Sequence, residues 1–254
     1  MSPRGGDQVI PRPENFRIGP PAPWETGEWK DPASISVADV IGALDRAGLN
    51  RIPVSHHEAW LGTALTSRQR LAAEKALASK RSTSAVLVPL FDRATGNGNQ
   101  VNLVFTRRSR NLRSHTGEVS FPGGRVDDGE LPVAAAIREA DEEVGISPSD
   151  VEILGHLEAM PTIASESWII PYVGVLDPES LVEGSPVLVP NPSEVDRIFD
   201  VSIVELLEPG VHREEIWEFP GFGEGPVNFF EVEGDTIWGA TARMLRNLIE
   251  ILLA

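Results

Sequence analysis

The chain predicts an α/β protein: an α/β/α sandwich built around a mixed β-sheet, preceded by a proline-rich and helical N-terminal extension. Three observations carry this. Short β-rich runs recur from Ser84 onward, some are joined in pairs by Gly- and Asn-rich turns, and only a few stretches keep helical spacing. The expected division is an extension over residues 1–81 and a globular domain over residues 82–254.

Met1 to Pro32 holds seven prolines, with Trp24 and Trp29 among polar residues and no periodicity. Such an arm is ordered only where something holds it. Its tryptophans are expected to dock on the globular body or on a second subunit, which leaves a homodimer open. Ser36 to Leu49 reads as an amphipathic helix, with Val37, Val40, Ile41 and Leu44 in helical register and Gly48 as its stop. His56 and His57 precede Trp60 with no nearby partner for a metal, and Ser67 to Lys80 reads as a further helix. Ser84–Phe91 and Gln100–Thr106 are strands of a hairpin joined by DRATGNGN. Val119–Phe121, Val151–Glu158, Ile169–Leu176 and Arg197–Ser202 are further strands, followed by a helical turn at Ile203–Leu207. Glu214–Phe219 and Val227–Glu233 flank PGFGEG as a second hairpin, and Ala240–Leu253 closes the chain as an amphipathic helix.

With 254 residues, 41% of them hydrophobic, the chain can bury one sizeable core. It contains no cysteine, which excludes disulfides and thiolate metal sites and fits a reducing compartment. The N-terminus shows no apolar run of signal-peptide type and no stretch reaches the roughly 18 apolar residues of a membrane helix, so the expectation is a soluble cytoplasmic protein. A formal net charge of −16 argues against general nucleic-acid binding, which depends on lysine and arginine meeting phosphates. Locally the balance reverses. Arg107, Arg108, Arg110, Arg113 and Arg125 stand against the single acid Glu118 between Val101 and Arg125. Arginine forks suit phosphate oxygens, although exposed arginines also serve solubility alone.

The stretch Phe121 to Ile146, FPGGRVDDGELPVAAAIREADEEVGI, follows this basic region. Pro132 suits a first helical turn and Gly145 the residue just past the end, leaving about three turns between them. Val133, Ala136, Ile137, Ala140 and Val144 fall within one arc of about 100°. Glu139, Glu142 and Glu143 fall on a second arc beside it. At about 6 Å each pair of these carboxylates repels by roughly 0.7 kcal/mol in bulk water, and several-fold more in a less polar setting. A divalent cation would turn that repulsion into ligation, because magnesium and manganese favour hard oxygen donors. Without other signals, such a helix is simply a solvated acidic face.

The spacing supplies the other signal. Gly124, five residues, Glu130, seven residues, then Arg138, Glu139, Ala140, any residue, Glu142, Glu143, any residue, Gly145 and Ile146 resembles the complete Nudix box. Apart from the apolar positions Ala140 and Ile146, its seven fixed positions would coincide by chance in a chain this long on the order of once in a million. The resemblance implies the Nudix fold and metal-dependent hydrolysis of a nucleoside diphosphate linked to another moiety, with Mg2+ or Mn2+ as cofactor. It further implies Glu139 and Glu143 as metal ligands, Glu142 as ligand or general base, Arg138 as the partner that orients a box carboxylate, and Gly124 as a carbonyl donor to the metal.

Upstream, VFTRRSRNLRSHTGEVSFPGG (Val104 to Gly124) resembles the signature of the coenzyme A diphosphatase subgroup: an apolar pair, then Thr106, Arg108, Ser109, Arg113, Gly117, Phe121, Pro122, Gly123 and Gly124. The leading pair is Val104 and Phe105 where that subgroup usually has leucines, which keeps the apolar character. This likeness implies coenzyme A or a derivative as small-molecule substrate, cut to 3′,5′-ADP and 4′-phosphopantetheine or its acyl form. Arg108 and Arg113 would offset substrate charge that the metals do not reach. His115 would donate to a phosphate or hold the loop, and Glu194, in a segment like the family's late acidic loop, would add a ligand or base. Two alternatives remain at this point: a Nudix hydrolase of ADP-ribose or a dinucleotide, and a ligand-binding module without turnover.

Overall fold

The computed structural model describes residues 4–26, 35–50, 82–112, 115–161, 168–182, 185–219 and 223–254. In chain order its elements are strand β1 (Arg17–Ile18), a helical turn α1 (Pro23–Thr26), helix α2 (Val37–Ala47), strands β2 (Thr83–Thr95), β3 (Gly98–Arg108), β4 (Val119–Ser120) and β5 (Gly123–Arg125), and helix α3 (Pro132–Val144). Strands β6 (Val151–His156), β7 (Met160–Pro161), β8 (Trp168–Leu176), β9 (Leu181–Val182), β10 (Ser185–Pro186) and β11 (Val195–Ser202) follow. The chain closes with helix α4 (Ile203–Leu207), strands β12 (His212–Phe219), β13 (Gly223–Val232) and β14 (Asp235–Trp238), and helix α5 (Gly239–Leu253).

Eight strands make a mixed sheet whose main path runs β11-β3-β2-β8-β6, with β4 on β3, β5 on β2 and β7 on β8. The β2–β8 pair is parallel and its neighbours are antiparallel. The run Ala85 to Phe91 is buried on both faces, which explains why it reads as continuously apolar rather than alternating. Its side chains still obey the two-residue period. Ala85, Leu87 and Phe91 join the core beneath α3, whereas Val86, Val88 and Leu90 join the core on the opposite face. The same alternation divides β3, with Val104 on the α3 side and Val101, Leu103 and Phe105 on the other. Each fully buried leucine or phenylalanine contributes roughly 1.5 to 3 kcal/mol.

On the face away from α3 lie α2, α5 and a second, four-stranded antiparallel sheet of order β1-β12-β13-β14. The expected sandwich is therefore present, with a second sheet sharing one of its outer layers. Both predicted hairpins form. The first is tighter than expected: DRATGNGN is mostly strand, and Thr95 pairs with Gly98 across a two-residue Gly96–Asn97 turn, the loop length antiparallel strands favour. Strand β14 was not foreseen. It pairs with β13 through a turn at Gly234, whose φ of 74° suits glycine.

The helix expected near Ser36 runs Val37–Ala47 and ends on Gly48 in the left-handed conformation. The N-terminal arm is held. Arg17 and Ile18 pair with Ile216 and Glu215 of β12, and Ile10 and Phe16 cover a cluster of Trp217, Val227 and Phe229. Trp24 docks on the body, 7% exposed, with its ring 5.0 Å from His212 and 6.3 Å from Phe230. Trp29, the His56–His57 pair, Trp60 and the helix expected at Ser67 to Lys80 lie outside the described residues. Among the described residues no helix is long and apolar enough to cross a membrane.

Candidate active site

Helix α3 sets the site. Pro132 stands at its start and Gly145 ends it at φ 73°, as the sequence predicted. The loop after β10 caps its far end: the Val189 N–H donates to the Val144 carbonyl (3.0 Å) and the Asn191 N–H to the Glu143 carbonyl (2.9 Å). Ala135, Ala136, Ala140 and Val144 are fully buried and press the helix onto the sheet. Ala135 was missing from the expected stripe, and Ile137 is only half-buried.

That seating separates the three glutamates. Glu143 is 3% exposed, accepts a hydrogen bond from the Gly123 N–H (3.1 Å) and lies 3.6 Å from Arg108 Nη1. Burial pushes its carboxyl up to about 7; the Gly123 N–H and Arg108 oppose that shift, while Glu139 and Glu194 add to it. Glu139 is also raised, first by burial, with Arg138 opposing and Glu142 and Glu194 adding. Gly124 is the residue that accommodates it, since a Cβ there would stand 2.3 to 2.5 Å from the Glu139 carboxylate. Glu142 is the exposed member and shares Arg138 Nη1 with Glu139. Its side chain is 57% exposed and meets Arg138 Nη1 at 3.4 Å.

Arg138 is the hub of this acidic face. It grips Glu130 with two parallel bonds, Nε to Oε1 at 2.9 Å and Nη2 to Oε2 at 3.1 Å, and reaches Glu139 Oε1 at 2.9 Å and the Arg125 carbonyl at 3.2 Å. Those carboxylates raise its pKa further, and the guanidinium in turn lowers that of Glu130. Glu130 belonged to the spacing pattern but not to the expected site; its role as clamp on Arg138 is visible only in three dimensions. A lysine cannot make a two-bond fork. Arg138→Lys is thus expected to lower kcat by about ten-fold or more while the protein stays folded, read by steady-state kinetics beside a thermal melt.

Glu194 reaches the site from the other side. Its backbone is pinned by the Ser109 N–H to the Glu194 carbonyl (2.7 Å) and by its own N–H to the Asn191 carbonyl (3.0 Å), and its charge is felt by both Glu139 and Glu143. Sequence reasoning missed Asn191 and had Ser109 only as a signature position without a role, because both act through backbone groups. Among the described residues no three acidic or imidazole side chains already form a closed cage for an ion; arginines hold them instead. The donor set nonetheless fits a hard divalent cation: two carboxylates raised by burial and by neighbouring carboxylates, Glu194 among them, and a glycine cradle that a Cβ would fill.

Other predicted positions divide. Arg108 faces Glu143, and its buried Nε has no hydrogen-bond acceptor among the described residues. Gly117 takes φ 70° and donates its N–H to the Arg108 carbonyl at 3.1 Å. His115 Nδ1 meets Glu118 Oε2 at 2.9 Å, which supports loop holding among its two expected roles. Phe121 is a correction: its ring is buried and stacks on Phe105 at 4.8 Å, so it supports the loop from within the core and offers no surface to a ligand. The basic stretch is also corrected. Arg107 and Arg110 are engaged by Asp7, because an acid distant in sequence was folded against them. Arg113 lies outside the described residues.

A mixed sheet with a glutamate-bearing helix seated against a glycine loop defines a Nudix fold. The chain belongs to the Nudix family: the NUDIX domain matches residues 81–219. Nudix hydrolase 3 of Caenorhabditis elegans is 40% identical over 127 residues, which cover 50% of this chain and 50% of that protein, so the match spans about half of that relative's length. The uncharacterized Nudix hydrolase NudL of Escherichia coli (strain SMS-3-5 / SECEC) is 35% identical over 167 residues, covering 65% of this chain and 80% of that one. Among solved structures, a MutT/nudix family protein from Enterococcus faecalis aligns at 13% identity and a TM-score of 0.43, over 79% of this chain and 74% of that one.

Proposed function

We propose that the protein hydrolyses the diphosphate linkage of coenzyme A or a derivative in the cytoplasm, releasing 3′,5′-ADP and 4′-phosphopantetheine or its acyl form. The observation that carries this reading is Arg108: a residue of the upstream signature stands against Glu143 of the box helix with a buried donor still lacking an acceptor. The Arg108 side chain is 26% exposed, which leaves part of its guanidinium open to a phosphate oxygen, the partner its chemistry suits.

In this reading Glu139 and Glu143 hold Mg2+ or Mn2+, with Glu142 or Glu194 as further ligand or general base and the Gly124 carbonyl as a donor. The bound ion supplies charge neutralisation at the phosphoanhydride and a more acidic water. The Gly123 N–H keeps Glu143 aimed, and Arg138, clamped by Glu130, orients Glu139. Arg108 and Arg113 meet phosphate oxygens, and Gly117 lets the loop turn back toward β4.

The test is incubation of the full chain with coenzyme A, ADP-ribose and dinucleotides in the presence of each metal, followed by product masses. Coenzyme A is expected to give 3′,5′-ADP, and EDTA to stop the reaction. Preferred cleavage of ADP-ribose or a dinucleotide, with coenzyme A left intact, would overturn the assignment. Arg113→Ala is expected to weaken hydrolysis of coenzyme A.

A further inference from the structure

The segment ahead of the Nudix match makes contacts that the box and the signature do not account for. Gly5, at φ 87°, donates its N–H to the Val232 carbonyl (2.8 Å), and the Gly6 N–H donates to Thr236 Oγ1 (3.2 Å). Gln8 bonds in both directions, from Nε2 to Asp235 Oδ1 (3.0 Å) and from the Thr236 N–H to its Oε1 (3.2 Å). A Cβ on Gly6 would lie 2.9 Å from the Asp235 Cα, so glycine allows the arm to come this near β14. Asp7 is fixed on both sides, and its carboxylate takes the guanidinium groups of both Arg107 and Arg110.

These two arginines belong to different parts of the site's support. Arg107, the last but one residue of β3, lies on the face toward the second sheet, where it also stands 3.3 Å from the fully buried Asp235. Arg110 lies in the loop that follows, described over residues 109–112 and 115–118. That loop closes on β3 through Arg108 N–H to the Glu118 carbonyl (2.9 Å) and Gly117 N–H to the Arg108 carbonyl (3.1 Å), and it holds Glu194 through Ser109.

We propose that Asp7 is a positioning residue: it ties the 109–118 loop to the second sheet and thereby fixes where Arg108 and Glu194 stand. The catalytic consequence rests on the function proposed above; the mechanical link does not. The arginines hold the Asp7 carboxyl down to about 2, so the link stays charged throughout the neutral range. A single exposed ion pair contributes little to stability, and Asp7 is 62% exposed at its side chain. Its effect is therefore expected in the loop's local opening and in substrate affinity, not in the melting of the whole molecule.

The test is backbone amide hydrogen exchange on the full chain without substrate, for the parent, Asp7→Asn, Asp7→Glu and Arg110→Gln. Asp7→Asn and Arg110→Gln are each expected to speed exchange at Arg108, Ser109 and Gly117 by about five-fold, with β2 and β8 unchanged, and Asp7→Glu to recover most of the protection. Arg17→Ala, which removes an exposed pair with Glu224 on the same arm, is expected to leave these amides alone. Kinetics on whichever diphosphate the enzyme cuts should show KM raised by about five-fold in Asp7→Asn with kcat within about two-fold. Unchanged exchange at 108–117, or faster exchange confined to residues 4–8, overturns the proposal. Because exchange is read without substrate, failure to cleave coenzyme A would strike the proposed function and leave this result standing.

Discussion

Glu143→Gln is expected to lower kcat by at least about a hundred-fold and, at neutral pH without metal, to make the protein more stable than the parent. Gln keeps an oxygen that can accept the Gly123 N–H, so the loop and helix stay in register. What it removes is a carboxylate whose burial raises its pKa from 4.5 to about 7. A raised carboxyl pKa means that the protonated form is the one the fold favours. Its stabilising contribution is complete below about pH 4.5 and is lost as pH climbs through about 7. The parent therefore surrenders up to about 3 kcal/mol over that interval, an order-of-magnitude figure from 1.36 kcal/mol per unit, and the variant does not. Thermal melts in EDTA should show Glu143→Gln several degrees higher near pH 8 and level with the parent near pH 4.5. Full turnover by the variant would remove Glu143 from the proposed metal site, and equal melts near pH 8 would remove the stored electrostatic cost.

Gly123→Ala and Gly124→Ala are expected to fail in different ways. A Cβ on Gly123 would meet the Ala85 carbonyl oxygen and the Val86 Cα, both at 2.5 Å. These are backbone atoms of the central strand and cannot swing aside, so a loss of about 3 kcal/mol or more in stability is expected, seen as a fall of roughly 6 to 12 °C in Tm. At Gly124 the obstacle is the Glu139 carboxylate, the free end of a side chain. It can move, and moving it spoils the site. Gly124→Ala is expected to melt within about 3 °C of the parent yet lose about ten- to a hundred-fold in kcat. Equal behaviour of the two variants, in melt and turnover alike, would contradict this division.

Much of the architecture was legible because local chemistry and tertiary structure agree. Pro132 and Gly145 bound α3, Gly48 ends α2, and Ile203–Leu207 forms α4 as its spacing foretold. The box residues were legible as a set but not as individuals. Helical arithmetic placed Glu139, Glu142 and Glu143 on one arc, yet only the alanines pressed against β2 determine how far the helix is rotated, and that rotation buries Glu143 and exposes Glu142. The basic stretch misled for a related reason. Arginines close in sequence looked like one patch, but Asp7 occupies two of them from about a hundred residues away. Such a pairing has no signature in either segment alone.

Strand β3 carries Arg107 toward the second sheet and Arg108 toward helix α3, and nothing but odd and even numbering separates their destinations. A single-residue deletion between Leu103 and Arg107 would therefore turn Arg108 toward Asp235 and bring Ser109 to Glu143, leaving that carboxylate uncovered, whereas an insertion would bring Arg107 to Glu143 and Thr106 to Asp235. A two-residue change would preserve the assignment of faces and merely shift it along the strand. Length variation in this hairpin should be tolerated at the distal Gly96–Asn97 tip and punished, in odd steps, near Arg107 and Arg108.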